Sequence, residues 1–176
     1  MRLFFALWPG EEVRARLAAW ARRLHAACGG RPTRVENLHM TLAFLGSVES
    51  ERVAAIERAA GEVAAASCTL VLDRPGVWRD IVWAGASAVP PELDTLVHEL
   101  RGALARSRVD FDAKEFASHV TLLRDARSKP PAMPELEPIR WDVGGFALVS
   151  SRLQAGGSRY EVLESWKAAQ PLRTPR

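Results

Sequence analysis

The chain has 176 residues, 48% of them apolar, with 24 Lys and Arg against 21 Asp and Glu. That length and apolar content suit one domain with an ample core. A net charge of +3 and a pI near 9.3 permit an anionic partner without establishing one. The basic residues are nearly all Arg, with Lys only at Lys114, Lys129 and Lys167, and Arg suits planar, bidentate contact with phosphate. Cys28 and Cys68 are too few for a disulfide framework and lack metal-ligand spacing, so free thiols in a reducing cytoplasm are expected. The apolar opening stops at Pro9, too soon for a signal-peptide core, and no run is long enough to span a membrane. A soluble, cytoplasmic monomer is the expectation.

Residues 3–8 read as an opening strand buried on both faces. Pro9-Gly10-Glu11-Glu12 starts a helix, with acidic residues where the helix dipole favours them. Apolar residues at Val13, Leu17, Trp20, Ala21 and Leu24 carry it to Cys28, and Gly29-Gly30 ends it. A loop over 31–37 leads to a strand over 38–45, closed by Gly46. Residues 47–66 form a second helix that Ser47 or Ser50 could cap. Residues 68–72 and 80–85 are strands, with a turn at Asp73-Arg74-Pro75-Gly76. A third helix runs from 90 to 108, and a strand over 116–123 follows. Residues 127–138 make a surface loop. Late strands over 139–149 and 160–163 flank a turn at 154–157, and the tail 171–176 is frayed. His25 and His98 sit on helices and read as structural or surface residues.

The two strands over 38–45 and 116–123 share a tetrapeptide. It is His39-Met40-Thr41-Leu42 in the first and His119-Val120-Thr121-Leu122 in the second. Side chains alternate along a strand, so each copy presents its His and Thr on one face and turns its apolar pair to the core. Each copy also follows a strand, an amphipathic helix and a loop. This coarse repeat predicts an α+β, bilobal protein: two pseudo-symmetric lobes, each a mainly antiparallel sheet covered by helices, with an active-site groove between them. Residues 1–176 would be one domain containing both lobes.

Two imidazoles in one groove can divide acid–base work, the neutral one taking a proton from an attacking oxygen and the protonated one giving a proton to the leaving oxygen. That division suits phosphodiester cleavage. Thr41 and Thr121 would hold non-bridging phosphate oxygens and stabilise the charged transition state. A catalytic metal would want three or four ligands, and only His39 and His119 are well placed, so no metal and no cofactor are expected. No Gly-rich phosphate loop occurs, which argues against ATP chemistry.

The chain resembles the 2H phosphoesterases, and within them the bacterial RNA 2′,3′-cyclic phosphodiesterases once called 2′-5′ RNA ligases. Four stretches carry the likeness: residues 2–7, 36–46, 119–126, and 151–163 with its Gly-Gly and Tyr160. One departure is Ser118, where the family commonly has Pro; the change should loosen the approach to the second motif strand. The resemblance implies hydrolysis of a 2′,3′-cyclic phosphate at an RNA end to a 2′-phosphate. His39 would be the proton donor and His119 the proton acceptor, an order that the sequence alone leaves open. Arg124 would add a phosphate or base contact. Strict alternation puts Arg124 on the face opposite His119, so it reaches the site only if the strand bends after Thr121; otherwise it is a surface arginine. Phe44 has the same parity problem and is either a base-stacking ring or a core residue. Joining of RNA ends would be a weak reversal with a 5′-hydroxyl replacing water. The alternatives are a non-catalytic nucleotide- or RNA-binding module, and a phosphodiesterase for a small cyclic nucleotide or 2′-5′ oligonucleotide.

Overall fold

The computed structural model describes residues 1–127, 132–154 and 157–168. The tail 171–176, the centre of the 154–157 turn and part of the 127–138 loop lie outside the described residues. The elements follow in the order β1 (Arg2–Leu7), α1 (Glu11–Cys28), β2 (Arg31–Pro32), β3 (Met40–Ser47), α2 (Val53–Gly61), β4 (Cys68–Leu72), β5 (Arg74–Trp78), β6 (Ile81–Gly85), α3 (Pro91–Arg106), β7 (His119–Arg124), β8 (Ile139–Val143), β9 (Gly145–Gln154) and β10 (Gly157–Lys167). Two four-stranded sheets run in the orders β10-β9-β1-β3 and β2-β7-β6-β5, and β4 pairs with β8. The strand pairings are antiparallel. This is the expected α+β architecture with two matching halves, β1-α1-β3 and β6-α3-β7, each ending in a motif strand.

β1 is buried from Leu3 to Leu7. Leu3, Phe5 and Leu7 enter the main core. Phe4 and Ala6 point the other way, into a small cluster with Ala147 and Val149 beneath Trp8, Phe44 and Tyr160. A strand apolar on both faces therefore serves as the partition between the core and an aromatic floor.

α1 buries Leu17, Trp20, Ala21, Leu24 and Cys28 and ends at Gly29, whose N–H donates to the His25 carbonyl at 2.8 Å. His25 and His98 are exposed, in keeping with their helical settings. The helices are exchanged between the halves. α1 leaves the first sheet and packs on β7, β6 and β2 of the second, while α3 leaves the second and packs on β3. Trp20 Nε1 and an Arg16 N–H of α1 donate to the carbonyls of Glu137 and Pro138, tying the lead-in to β8 onto the helix.

Several expectations change: the loop over 31–37 includes β2, the strand over 116–123 starts only at His119, and the late strand over 160–163 runs from Gly157 to Lys167. The helix over 47–66 is shorter: a 3-10 turn at Ser50–Arg52 precedes α2, and neither serine caps it, because Ser47 still pairs with Arg2 in the sheet and Ser50 lies inside the turn. Of the turn expected at Asp73-Arg74-Pro75-Gly76, the last three residues instead open β5. Pro75 is tolerated there because β5 is an edge strand. The chain reverses at Arg79-Asp80 instead, with Arg79 in the left-handed region at φ 54°. Residues 139–149 divide into two strands at Gly144-Gly145. No helix among the described residues is long and apolar enough to cross a membrane.

Candidate active site

β3 and β7 lie beside one another although they belong to different sheets. His39, Thr41, His119 and Thr121 all line one cleft of about 620 Å³ between them. His119 is the first residue of β7, and His39 stands one residue ahead of β3. Both motifs thus meet as their parity predicts.

Arg124 and Phe44 line the same cleft. The reason is a β-bulge at the same place in both strands. In β7, Thr121 pairs with Trp83 and Leu123 with Val82, so Leu122 has no partner. In β3, Thr41 pairs with Ala6 and Ala43 with Phe5, so Leu42 has none. An extra residue resets the alternation. Leu122 and Leu123 are both buried, as are Leu42 and Ala43, and the third residue after each Thr returns to the cleft face. That residue is Phe44 in one copy and Arg124 in the other. The bulge supplies the bend that Arg124 requires.

The carbonyl of each bulged leucine has a partner from elsewhere in the chain. Arg101 of α3 donates from Nε and an Nη to Leu42 O at 3.2 and 3.1 Å. Thr33 N–H donates to Leu122 O at 2.8 Å. Thr33 follows β2, which pairs with Arg124 and Leu123 only because residue 30 is glycine. Gly30 has φ 85°, and a Cβ there would lie 2.6 Å from Arg124 O and 2.9 Å from Ala126 Cα.

The two imidazoles are held alike. His39 Nδ1 lies 2.6 Å from Asn37 O, and His119 Nδ1 lies 2.8 Å from Ala117 O. A carbonyl only accepts, so in each ring Nδ1 carries the hydrogen and Nε2 is the basic nitrogen. Thr41 Oγ1 donates to His39 Nε2 at 3.1 Å. Asn37 also donates from Nδ2 to Ser158 O at 2.8 Å, joining the start of the motif to β10. Around His39 stand Phe4 at 4.8 Å, Trp8 stacked at 5.7 Å and Tyr160 edge-on at 5.3 Å, measured between ring centroids. Trp78 stands edge-on to His119 at 4.7 Å. Burial among these rings lowers the His39 pKa to about 4, with the positive charges of Arg124 and His119 acting in the same direction. His119 is lowered too, first by burial and then by Arg124.

The cleft has four arginines on its walls, Arg2, Arg31, Arg34 and Arg124, and no Asp or Glu among its described residues. Arg2 lies over the Phe44 ring, 5.5 Å from its centroid. Arg31 pairs with Asp125 at 2.5 Å. Such walls attract an anion and present a ring face beside it. Among the described residues no three His, Cys, Asp or Glu side chains gather as a metal would need. Ser118 donates to Met40 Sδ at 3.6 Å, a link between the two motif strands.

Asn37, Trp8 and Trp78 are parts of the site that the sequence reading misses. Asn37 stands two residues before His39, as Ala117 does before His119, so the backbone acceptor is implied by the spacing. Trp78 carries no local signal, because the turn beside it falls later in the chain than the Asp-Arg-Pro-Gly run suggests.

The chain is similar to known proteins in both sequence and fold. The family described as LigT like Phosphoesterase matches residues 7–86. The RNA 2′,3′-cyclic phosphodiesterase of Escherichia coli K12 is 36% identical over 171 residues, covering 96% of this chain and 97% of that protein. The protein of the same name from Thermus thermophilus is 33% identical over 178 residues, covering 94% of this chain and 89% of its own. The crystal structure of E. coli LigT complexed with 3′-AMP superposes with a TM-score of 0.86 at 36% identity, over 96% of this chain and 98% of that one. Sequence likeness over nearly the full length, joined to the same fold, means that the chain belongs to the LigT-like phosphoesterase family.

Proposed function

We propose that the chain hydrolyses 2′,3′-cyclic phosphate ends of RNA to 2′-phosphates by metal-independent acid–base catalysis between His39 and His119. The observation that carries this reading is the pair of imidazoles, each with Nδ1 fixed on a backbone carbonyl, in one cleft walled by arginine. A binding module would have no use for two basic nitrogens so prepared. The relatives' name and the 3′-AMP complex of one of them support the substrate class.

In this mechanism Thr41, Thr121 and Arg124 hold the non-bridging oxygens. Neutral His119 takes a proton from water as the water oxygen bonds to phosphorus. The bond from phosphorus to O3′ breaks, and protonated His39 gives O3′ its proton. Thr41, whose hydrogen lies on His39 Nε2, can turn it to the phosphate once that nitrogen is protonated. Phe44, backed by Arg2, offers a face to the terminal base. Replacing water by a 5′-hydroxyl gives 2′-5′ joining, which stays weak because water is in great excess. The enzyme would act as a monomer in the cytoplasm, where Cys28 and Cys68 persist as free thiols. A small cyclic nucleotide is the second reading, since a cleft of about 620 Å³ suits a single nucleotide.

The test is an oligonucleotide ending in a 2′,3′-cyclic phosphate, incubated with the chain in EDTA. Conversion to the 2′-phosphate is expected, with a loss of about two to four orders of magnitude in His39→Ala and in His119→Ala. No turnover by the unaltered chain would sink the reading. Turnover unharmed in either variant would sink the mechanism.

A further inference from the structure

A second, smaller pocket of about 240 Å³ adjoins the cleft. The two share Thr41, Phe44 and His119, which form the wall between them. Beyond that wall the character changes. Among its described residues the cleft has four arginines and no carboxylate, whereas this pocket has Arg101 and Lys114 balanced by Asp112 and Glu115. Its cations are already engaged: Lys114 pairs with Asp112 at 3.1 Å, and Arg101 is spent on the carbonyls of Leu42 and Lys114. The pocket thus has no bias toward an anion. It has aromatic surface instead, from Phe44, Trp78 and Phe116. Trp78 is 43% exposed, yet it is held in place, 4.7 Å from Trp83 on one side and 4.7 Å from His119 on another. Gly76 lets Trp83 lie flat across β5 there, since a Cβ at that position would collide with the indole. An exposed indole fixed beside a catalytic imidazole, in a neutral space the size of one ring system, suits a nucleobase.

We propose that this pocket is a second nucleoside site, holding the group carried on O5′ when that oxygen, rather than water, stands beside His119. The proposal rests on the reading above and deepens it. It assigns Trp78 and Phe116 to the recognition of a 2′-5′-linked dinucleotide. In that substrate O3′ attacks phosphorus and its proton passes to His39. The bond from phosphorus to O5′ breaks, and protonated His119 gives O5′ its proton. The products are a 2′,3′-cyclic phosphate and a nucleoside with a free 5′-hydroxyl, and no further reactant is consumed.

The experiment compares kcat/KM for hydrolysis of adenosine 2′,3′-cyclic phosphate with kcat/KM for cleavage of adenylyl-(2′→5′)-adenosine. A third substrate is adenosine 2′-(methyl phosphate), in which a methyl group replaces the second nucleoside. In Phe116→Ala and in Trp78→Ala, the ratio of dinucleotide to cyclic-phosphate turnover is expected to fall about ten- to a hundredfold, chiefly through KM. The ratio of methyl ester to cyclic phosphate should hold. Trp78→Phe, which keeps a ring face, should recover most of the loss. The proposal is overturned if both ratios fall together, if neither moves, or if the unaltered chain ignores the dinucleotide while hydrolysing the cyclic phosphate. Failure on the cyclic phosphate itself would instead overturn the underlying reading.

Discussion

His39 shows how a side chain's surroundings set its duty. Burial among Phe4, Trp8 and Tyr160 brings its pKa to about 4, so it is neutral near pH 7. The donor proposed above must nevertheless hold a proton, and a phosphate anion beside the imidazole favours the charged form. Binding of inorganic phosphate near pH 7 is therefore expected to take up a proton. Calorimetry in buffers of different ionisation enthalpy should give different binding heats, and His39→Gln should remove most of the difference. Equal heats in the unaltered chain would argue against His39 as the donor. The same shift affects folding. The unfolded histidine takes a proton near its ordinary pKa of about 6.5, while the folded one resists until about pH 4. Its contribution to stability is complete above the unfolded value and is lost as pH falls through that window. The urea midpoint should drop between pH 7 and 5, and less steeply in His39→Gln. The pairing of His with Thr was legible because alternation over two residues survives anything that happens later in the strand. The aromatic cage was not, since Trp8, just past β1, and Tyr160 of β10 meet His39 from opposite ends of the chain.

At the scale of elements, the bulges decide which residues face the cleft. Alternation without them puts Phe44 and Arg124 on the wrong face. The trace they leave in sequence is two adjacent buried apolar residues, Leu42-Ala43 and Leu122-Leu123. A strand covered on both sides reads the same way, as β1 does, so the pattern alone could not separate the cases. What sustains the first bulge is Arg101, through the Leu42 carbonyl. Arg101→Ala leaves that acceptor without its donor and is expected to cost about 1–3 kcal/mol by urea denaturation. It should also raise KM, because Phe44 loses its fixed direction. Arg101→Lys cannot reproduce the two-pronged contact and should recover little of either. Gly30→Ala meets the backbone at Arg124 and demands a positive φ from alanine, so a loss of about 2 kcal/mol or more is expected. An unchanged urea midpoint would show that β2 can move away from β7 freely.

At the scale of the molecule, the doubled tetrapeptide made the two halves and their groove legible. The exchange of helices was not, because an amphipathic pattern says that a face is buried and not which sheet buries it. Exchange makes each half depend on the other's helix for its core, so thermal unfolding is expected to be one transition. Two resolved transitions in calorimetry would show that the halves stand alone. Four arginines around one cleft, with no carboxylate among its described residues, also make substrate capture an electrostatic matter. KM should rise as salt is added, and less so in Arg124→Ala. The bulged leucines add a constraint on how such a chain can change. Leu42 and Leu122 occupy the core, so another apolar residue could stand for either. Removing one is a different event: it acts as a frameshift in space, in which the motif stays intact while every side chain after it on that strand moves to the opposite face. Strand length at these two points is therefore expected to be conserved more strictly than the leucines themselves.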